Sequence, residues 1–291
     1  MAHWYDKSYK FFLLIPIALL IISIGYLWNF QNQHGDIIYK DVTLTGGTTI
    51  SVFDSNIELE QVRSALIEGF PDIQLRGISD FRTGEQKGFI LETKSEVGEI
   101  RSALEEFLGY ELTQENSSIE FSGATLSQGF YKQLRLAILL AFIFMAIVVF
   151  LIFRTIVPSA AVILAALSDI LMTIVVIDLI GMPLSTAGVV AFLLLIGYSV
   201  DTDILLTTRM IKKREGEIND RLFGALKTGV MMTVTSIIAV GISLFIIYNS
   251  SEVLRQMFTI LLIGLGFDLF NTWFANASIL KWYAEKKEAS R

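Results

Sequence analysis

Residues 197–209 read GYSVDTDILLTTR and follow an unbroken apolar run from Val189 to Ile196. The run is part of a membrane-spanning segment, Leu184–Leu206, and two aspartates, Asp201 and Asp203, stand two residues apart in its second half. A charged side chain at the bilayer centre costs at least ~2.5 kcal/mol, so a helix with two carboxylates needs protein partners, water or protons for them. Ionisable groups at that depth are functional by default. Two residues on a helix are roughly 200° apart, so Asp201 and Asp203 face different neighbours and have separate tasks. Asp203 shares a stripe with Ser199 and Thr207, which can satisfy it locally. Asp201 follows Gly197 by one turn, where the missing side chain leaves room for water or another helix, and it is the preferred coupling residue.

The rest of the chain supports a membrane setting. Of 291 residues, 53% are hydrophobic and only four are proline. Cysteine is absent, which removes disulfides, thiol catalysis and thiolate metal sites. The two histidines, His3 and His34, lie outside the apolar runs, so no zinc site or Ser-His-Asp chemistry is available in the membrane, and the residues call for no cofactor. The net charge of -6 comes mostly from a polar segment, which makes nucleic acid an unsuitable partner.

Phe11–Trp28 forms the first span, ended by the interfacial Tyr26 and Trp28 and expected to be retained rather than cleaved. Five further runs, Leu134–Phe153, Ile156–Ile180, Leu184–Leu206, Leu222–Tyr248 and Leu254–Trp282, are each long enough to cross a bilayer. The fold class is therefore an α-helical membrane protein with six transmembrane helices. Arg154, Arg209, Lys212, Lys213, Arg214, Arg221, Lys281, Lys286 and Lys287 fall on one side with the N-terminal lysines, whereas Gly181-Met182-Pro183 and Asn249-Ser250-Ser251 carry no positive charge. Both termini are then cytoplasmic in a cell membrane.

Three segments follow: 1–28, the N-terminus and first span; 29–129, a polar inserted domain; and 130–291, spans two to six with the C-terminus. The inserted domain reads as strand Thr48–Phe53, a helix opened by a Ser55-x-x-Glu58 capping box, strands Ile73–Phe81 and Gly88–Thr93 around Thr83-Gly84, a helix opened by Thr93-x-x-Glu96, and strand Ile119–Phe121. That β-α-β-β-α-β order predicts an extracytoplasmic, ferredoxin-like α+β domain, a fold that assigns no function by itself.

Asp169 in span three and Asp268 in span six also sit near mid-membrane. Lys227 at the start of span five, and Arg209, are candidate charge partners, although Lys227 is near enough to the surface for its ammonium to reach the headgroups. Span six adds Asn271, Thr272 and Asn276, and Gly264 and Gly266 suit close helix packing.

Thr45-Gly46-Gly47-Thr48, Ser168-Asp169 and Ile196-Gly197-Tyr198-Ser199 ahead of the aspartates together resemble the SecF family, the smaller subunit of the SecDF protein-export complex in the resistance-nodulation-division superfamily. The resemblance covers nearly the whole chain. It implies six spans, an outer ferredoxin-like domain, and pairing with a homologous SecD at a SecYE-type channel to help export a translocating preprotein with the proton gradient. Bacterial members read Gly-Tyr-Ser-x-Asn-Asp-Thr, which puts their Asn at Asp201, their Asp at Thr202 and their Thr at Asp203. They have His at Ser168 and an Arg near Gly229 or Lys227. The spelling here is similar to that of the archaeal branch, where no SecA motor is known.

Two other classes fit less well. Small-molecule exporters of the superfamily carry two six-helix halves and two larger outer domains in one chain. Gly264-Leu-Gly-Phe-Asp268 resembles the Gly-x-Gly-Asp element of intramembrane aspartyl proteases, but Phe267 intervenes and no span carries the companion Tyr-Asp pair, so the chain reads as a non-enzyme.

Overall fold

The structure, a computed structural model, describes residues 2–79, 85–212, 216–248 and 252–289. Among the described residues, six helices are long and apolar enough to cross a membrane: α1 (Ala2–His34), α5 (Ala124–Phe153), α6 (Ile156–Leu179), α7 (Thr186–Ile211), α8 (Ile218–Ile247), and α9 (Glu252–Asn271) continued through a π-helical turn, Thr272–Asn276, into α10 (Ala277–Ala289). The first helix runs to His34, beyond the expected end at Trp28, and α5 starts within the segment assigned to the polar domain.

Burial ranks these helices. In their most apolar stretches, 56% of α6 and 50% of α7 is buried, against 17% of α1, 11% of α5 and 6% of α8. The two helices that carry Asp169 and Asp203 are therefore the centre of the bundle. Leu195 of α7 closes against Gly264 of α9, where any Cβ would come within 2.4 Å of the leucine. The packing role expected of Gly264 is the one it has, while Gly266 has nothing near its Cβ position.

Between α1 and α5 the chain forms a short helix α2 (Val42–Thr45), β1 (Gly47–Val52), α3 (Leu59–Leu66), β2 (Gln74–Ser79), β3 (Gln86–Thr93), α4 (Val97–Leu108) and β4 (Ser117–Ser122). The strands make one antiparallel sheet in the order β2-β3-β1-β4, with Ile50 opposite both Leu91 and Ile119. Ile50, Val52, Phe89 and Leu91 pack on Val62 and Leu66 of α3 and Ile100 and Leu104 of α4 in a core separate from that of the bundle. Tyr110 donates to Asp54 Oδ2 at 2.8 Å, and burial together with that carboxylate pushes its hydroxyl up to about 12, so it stays a donor at any ordinary pH. The opposite sheet face, with Thr49, Ser51 and Glu120, borders a cavity of about 380 Å³ shared with Tyr248 and Arg255 of the bundle.

Local details differ from expectation. Neither capping box forms: α3 and α4 begin one residue after Glu58 and Glu96, without a side-chain cap. Thr93 instead donates to Asp72 at 3.1 Å, a long-range bond that outcompetes the local one. The Thr83-Gly84 turn lies outside the described residues. Lys281, counted with the surface cations, is buried and donates to Asn219 at 2.7 Å, with Glu285 at 3.8 Å.

Gly47, the first residue of β1, shows why a glycine stands there. Its φ is +140° and a Cβ there would lie 2.2 Å from the Thr93 carbonyl oxygen. Gly47→Ala should destabilise the sheet unit by about 2 kcal/mol or more, whereas Gly98→Ala, with nothing near its Cβ position, should not. The temperature at which heating makes residues 47–122 of the full chain protease-sensitive measures both.

Candidate functional site

Asp169, Asp203 and Asp268 converge from α6, α7 and α9 in the bundle interior, each no more than 1% exposed. Buried carboxyls require donors, and the neighbouring helices supply them. Asp169 Oδ2 accepts from Ser199 Oγ at 2.6 Å, and its Oδ1 from Asn271 Nδ2 at 2.7 Å. Asp203 Oδ1 accepts from Asn276 Nδ2 at 2.6 Å and Thr272 Oγ1 at 3.0 Å. Asp268 faces Thr202 Oγ1 at 3.2 Å, Thr272 Oγ1 at 3.3 Å and Thr233 Oγ1 at 3.5 Å. Thus α8 also contributes, through Thr233.

One hydroxyl serves two carboxyls: Thr272 Oγ1 lies between Asp268 and Asp203. A hydroxyl has one proton to give, so it can donate to one carboxyl while accepting from the other. Asp268, Thr272 and Asp203 thus form a line, and Asp169 is held beside it by Ser199 of α7 and Asn271 of α9.

The π-helical turn puts the donors there. Its i to i+5 pairing, with Ala277 N donating to Thr272 O, adds a residue to the helical circuit next to Asp268. Asn271, Thr272 and Asn276 are all fully buried against the carboxyls as a result. Asp203 Oδ2, Asn271 Oδ1 and Asn276 Oδ1 have no hydrogen-bond partner among the described residues.

The other residues singled out by sequence fall elsewhere. Asp203 is not satisfied by Ser199 and Thr207: Ser199 turns to Asp169, and the Thr207 hydroxyl has no partner among the described residues. Asp201, Gly197 and Tyr198 lie on an exposed stripe of α7, away from the three carboxyls, and nothing lies near the Gly197 Cβ position. Neither proposed charge partner reaches an aspartate. Lys227 is exposed with no ion-pair partner among the described residues, because it faces off the bundle, and Arg209 donates to the Gly224 carbonyl oxygen. Ser168 bonds its own helix at Leu164 O. Beside Gly229 the Trp273 ring fills the space, since a Cβ would meet it at 2.6 Å. Gly46 and Gly47 lie outside the bundle, Gly46 capping α2 and Gly47 opening β1. Asp178, near the end of α6, is a further buried carboxyl that the sequence reading passed over. Among the described residues, no three His, Cys, Asp or Glu side chains are grouped to hold a metal.

Residues 104–286 match the family model for the C-terminal region of the protein export membrane proteins SecD/SecF. The chain belongs to this family. It is 38% identical to the protein-export membrane protein SecF of Methanocaldococcus jannaschii over 98% of this chain and 99% of that one. It is likewise 38% identical to the SecF of Methanothermobacter thermautotrophicus over 96% of this chain and 94% of the relative. Its fold resembles that of SecDF, a translocon-associated membrane protein from Thermus thermophilus, with a TM-score of 0.77 and 18% identity. The likeness covers 97% of this chain but only 38% of the longer SecDF chain. A SecDF in a super-membrane-facing form gives a TM-score of 0.56.

The contrast between the two α7 aspartates can be measured. Asn276→Leu, which removes a buried donor from Asp203, should lower thermal stability of the detergent-solubilised protein by about 1–3 kcal/mol. Asp201→Asn, on the exposed stripe, should change it by less than ~0.5 kcal/mol.

Proposed function

We propose that this chain is the SecF-type accessory subunit of the Sec translocation machinery, working beside SecD to promote preprotein export, with protons exchanged along Asp169, Asp268 and Asp203. The observation that carries the proton reading is the Thr272 hydroxyl, within hydrogen-bond distance of both Asp268 and Asp203, with Asp169 buried beside them. Three ionised carboxylates so close together in an apolar interior, with no lysine or arginine paired to them among the described residues, would repel at low dielectric. Protons shared among them remove that repulsion, and Thr272, giving its own proton to one carboxyl as it takes one from the other, passes a proton between Asp268 and Asp203. The free Oδ2 of Asp203 is where such a proton can arrive or leave.

The partner reading rests on Asp201. A carboxylate on an exposed helix face cannot stand against lipid tails without a donor. We assign that stripe, Gly197, Tyr198 and Asp201, to the contact with SecD, which supplies the donor. The sheet unit, with its β-α-β-β-α-β order and 4-1-3-2 arrangement, is ferredoxin-like and lies outside the cytoplasm, since the cationic connections gather at the opposite ends of the helices. The domain limits stay as read from sequence: 1–28, 29–129 and 130–291.

Export of a secreted reporter, with assembly followed by copurification of SecD and the channel, tests the relay. Asp203→Asn, Asp169→Asn and Thr272→Val should each reduce export tenfold or more while assembly holds, Thr272→Ser should retain it, and Lys227→Ala should be near wild type. Wild-type export from Thr272→Val would exclude the hydroxyl bridge. Orientation is checked separately, with single cysteines placed in the cysteine-free chain at the exposed Glu115 and Lys286. An impermeant thiol reagent added to intact cells should label position 115 and not 286.

A further inference from the structure

The sheet unit does not hang from the bundle by a loose linker. Between α1 and β1 the chain is hydrogen-bonded to the connection between α6 and α7: Asp41 N donates to Leu184 O at 3.0 Å, and Leu184 N donates to Tyr39 O at 2.7 Å. Lys40 and Leu184 thus form a parallel β-bridge. Thr186 N donates to Thr43 Oγ1 at 3.3 Å, one residue into α7.

A third element locks this crossing. Gln256, in the first turns of α9, is only 6% exposed and has its amide committed to the same connection. Its Oε1 accepts from Ser185 N at 3.1 Å and from the Ser185 hydroxyl, and its Nε2 donates to the Pro183 carbonyl oxygen. Gly188 allows the fit, because a Cβ there would lie 2.4 Å from Leu184 Cδ1 and 3.0 Å from Gln256 Oε1. On the other side of the crossing there is little slack. Asp41 Oδ1 caps α2 at Thr43 N, Gly46 N closes α2 on Val42 O, and Gly47 leads directly into β1.

The helices that meet here are the ones that carry the three aspartates. The crossed connection joins α6 to α7, and Gln256 belongs to α9. We infer that this joint is a permanent mechanical link, with Gln256 as its positioning residue, that delivers relative shifts of α6, α7 and α9 to the sheet unit. The inference rests on the proton-coupled export reading above. A joint made of backbone bonds and a buried amide transmits displacement, whereas a flexible linker would absorb it.

Hydrogen exchange on the purified assembly tests the joint without reference to export. In wild type, peptides covering 39–45 and 183–188 should exchange slowly. Gln256→Leu should speed both together by about tenfold or more, while β1 and the middle of α6 are unchanged. Export by Gln256→Leu should fall severalfold, with SecD still copurifying. Thr43→Cys with Thr186→Cys, oxidised to a disulfide across the joint, should restore export to Gln256→Leu and leave an otherwise wild-type chain active. Three results would overturn the inference: unchanged exchange in Gln256→Leu, wild-type export from it, or loss of export on crosslinking the otherwise wild-type chain, which would show a joint that must open. Asp203→Asn run in parallel separates the two ideas, since its wild-type export would count against the relay and leave the exchange result standing.

Discussion

Three carboxyl groups in an apolar interior, with hydroxyls and amides for company and no paired cation among the described residues, constrain everything around them. Each needs donors, and in a helix bundle most of these come from side chains on adjacent helices at close range. Small residues make the range short. Gly264 lets α9 close on Leu195 of α7, and Gly229 lets α8 close on Trp273, which brings Thr233 to the edge of the cluster. The π-helical turn is the second device, rotating an amide, a hydroxyl and a second amide of one helix toward two different aspartates. Bundle geometry and carboxyl solvation are one problem with one solution.

Much of this was legible in the sequence, for physical reasons. Six apolar runs must be helices in lipid because no other open structure satisfies its backbone there. The ~200° between Asp201 and Asp203 follows from helix geometry alone, and the two residues do face different ways. The partners were harder to read. Ser199 and Thr207 were natural local partners for Asp203, yet its donors come from residues 69 and 73 positions later. Nothing in Thr272–Asn276 announces a π turn, since a single extra residue leaves no periodicity to detect. The capping boxes failed for a related reason: Thr93 found Asp72, a contact made by tertiary packing. Gln256 was invisible, being one polar residue at a helix end, where polar residues are ordinary.

The two α7 aspartates divide the labour of the subunit. Asp203 looks inward to donors on Thr272 and Asn276, and Asp201 looks outward from an exposed stripe of α7. The proposed function gives the two faces different partners, the inner one the donors of this chain and the outer one SecD. The sheet unit belongs to the same mechanical system, because the connection between α6 and α7 that it grips is continuous with the helices bearing Asp169 and Asp203.

The central claim is that protons reside in the cluster and pass between its members. Infrared difference spectroscopy of the purified assembly, recorded as the pH is stepped across neutrality, observes the carbonyl stretch of protonated carboxyls directly. The account expects a protonated-carboxyl band that Asp203→Asn and Asp268→Asn each alter, because their proton is shared through Thr272, and that Asp201→Asn leaves in place. Absence of any protonated-carboxyl band attributable to these residues would contradict it.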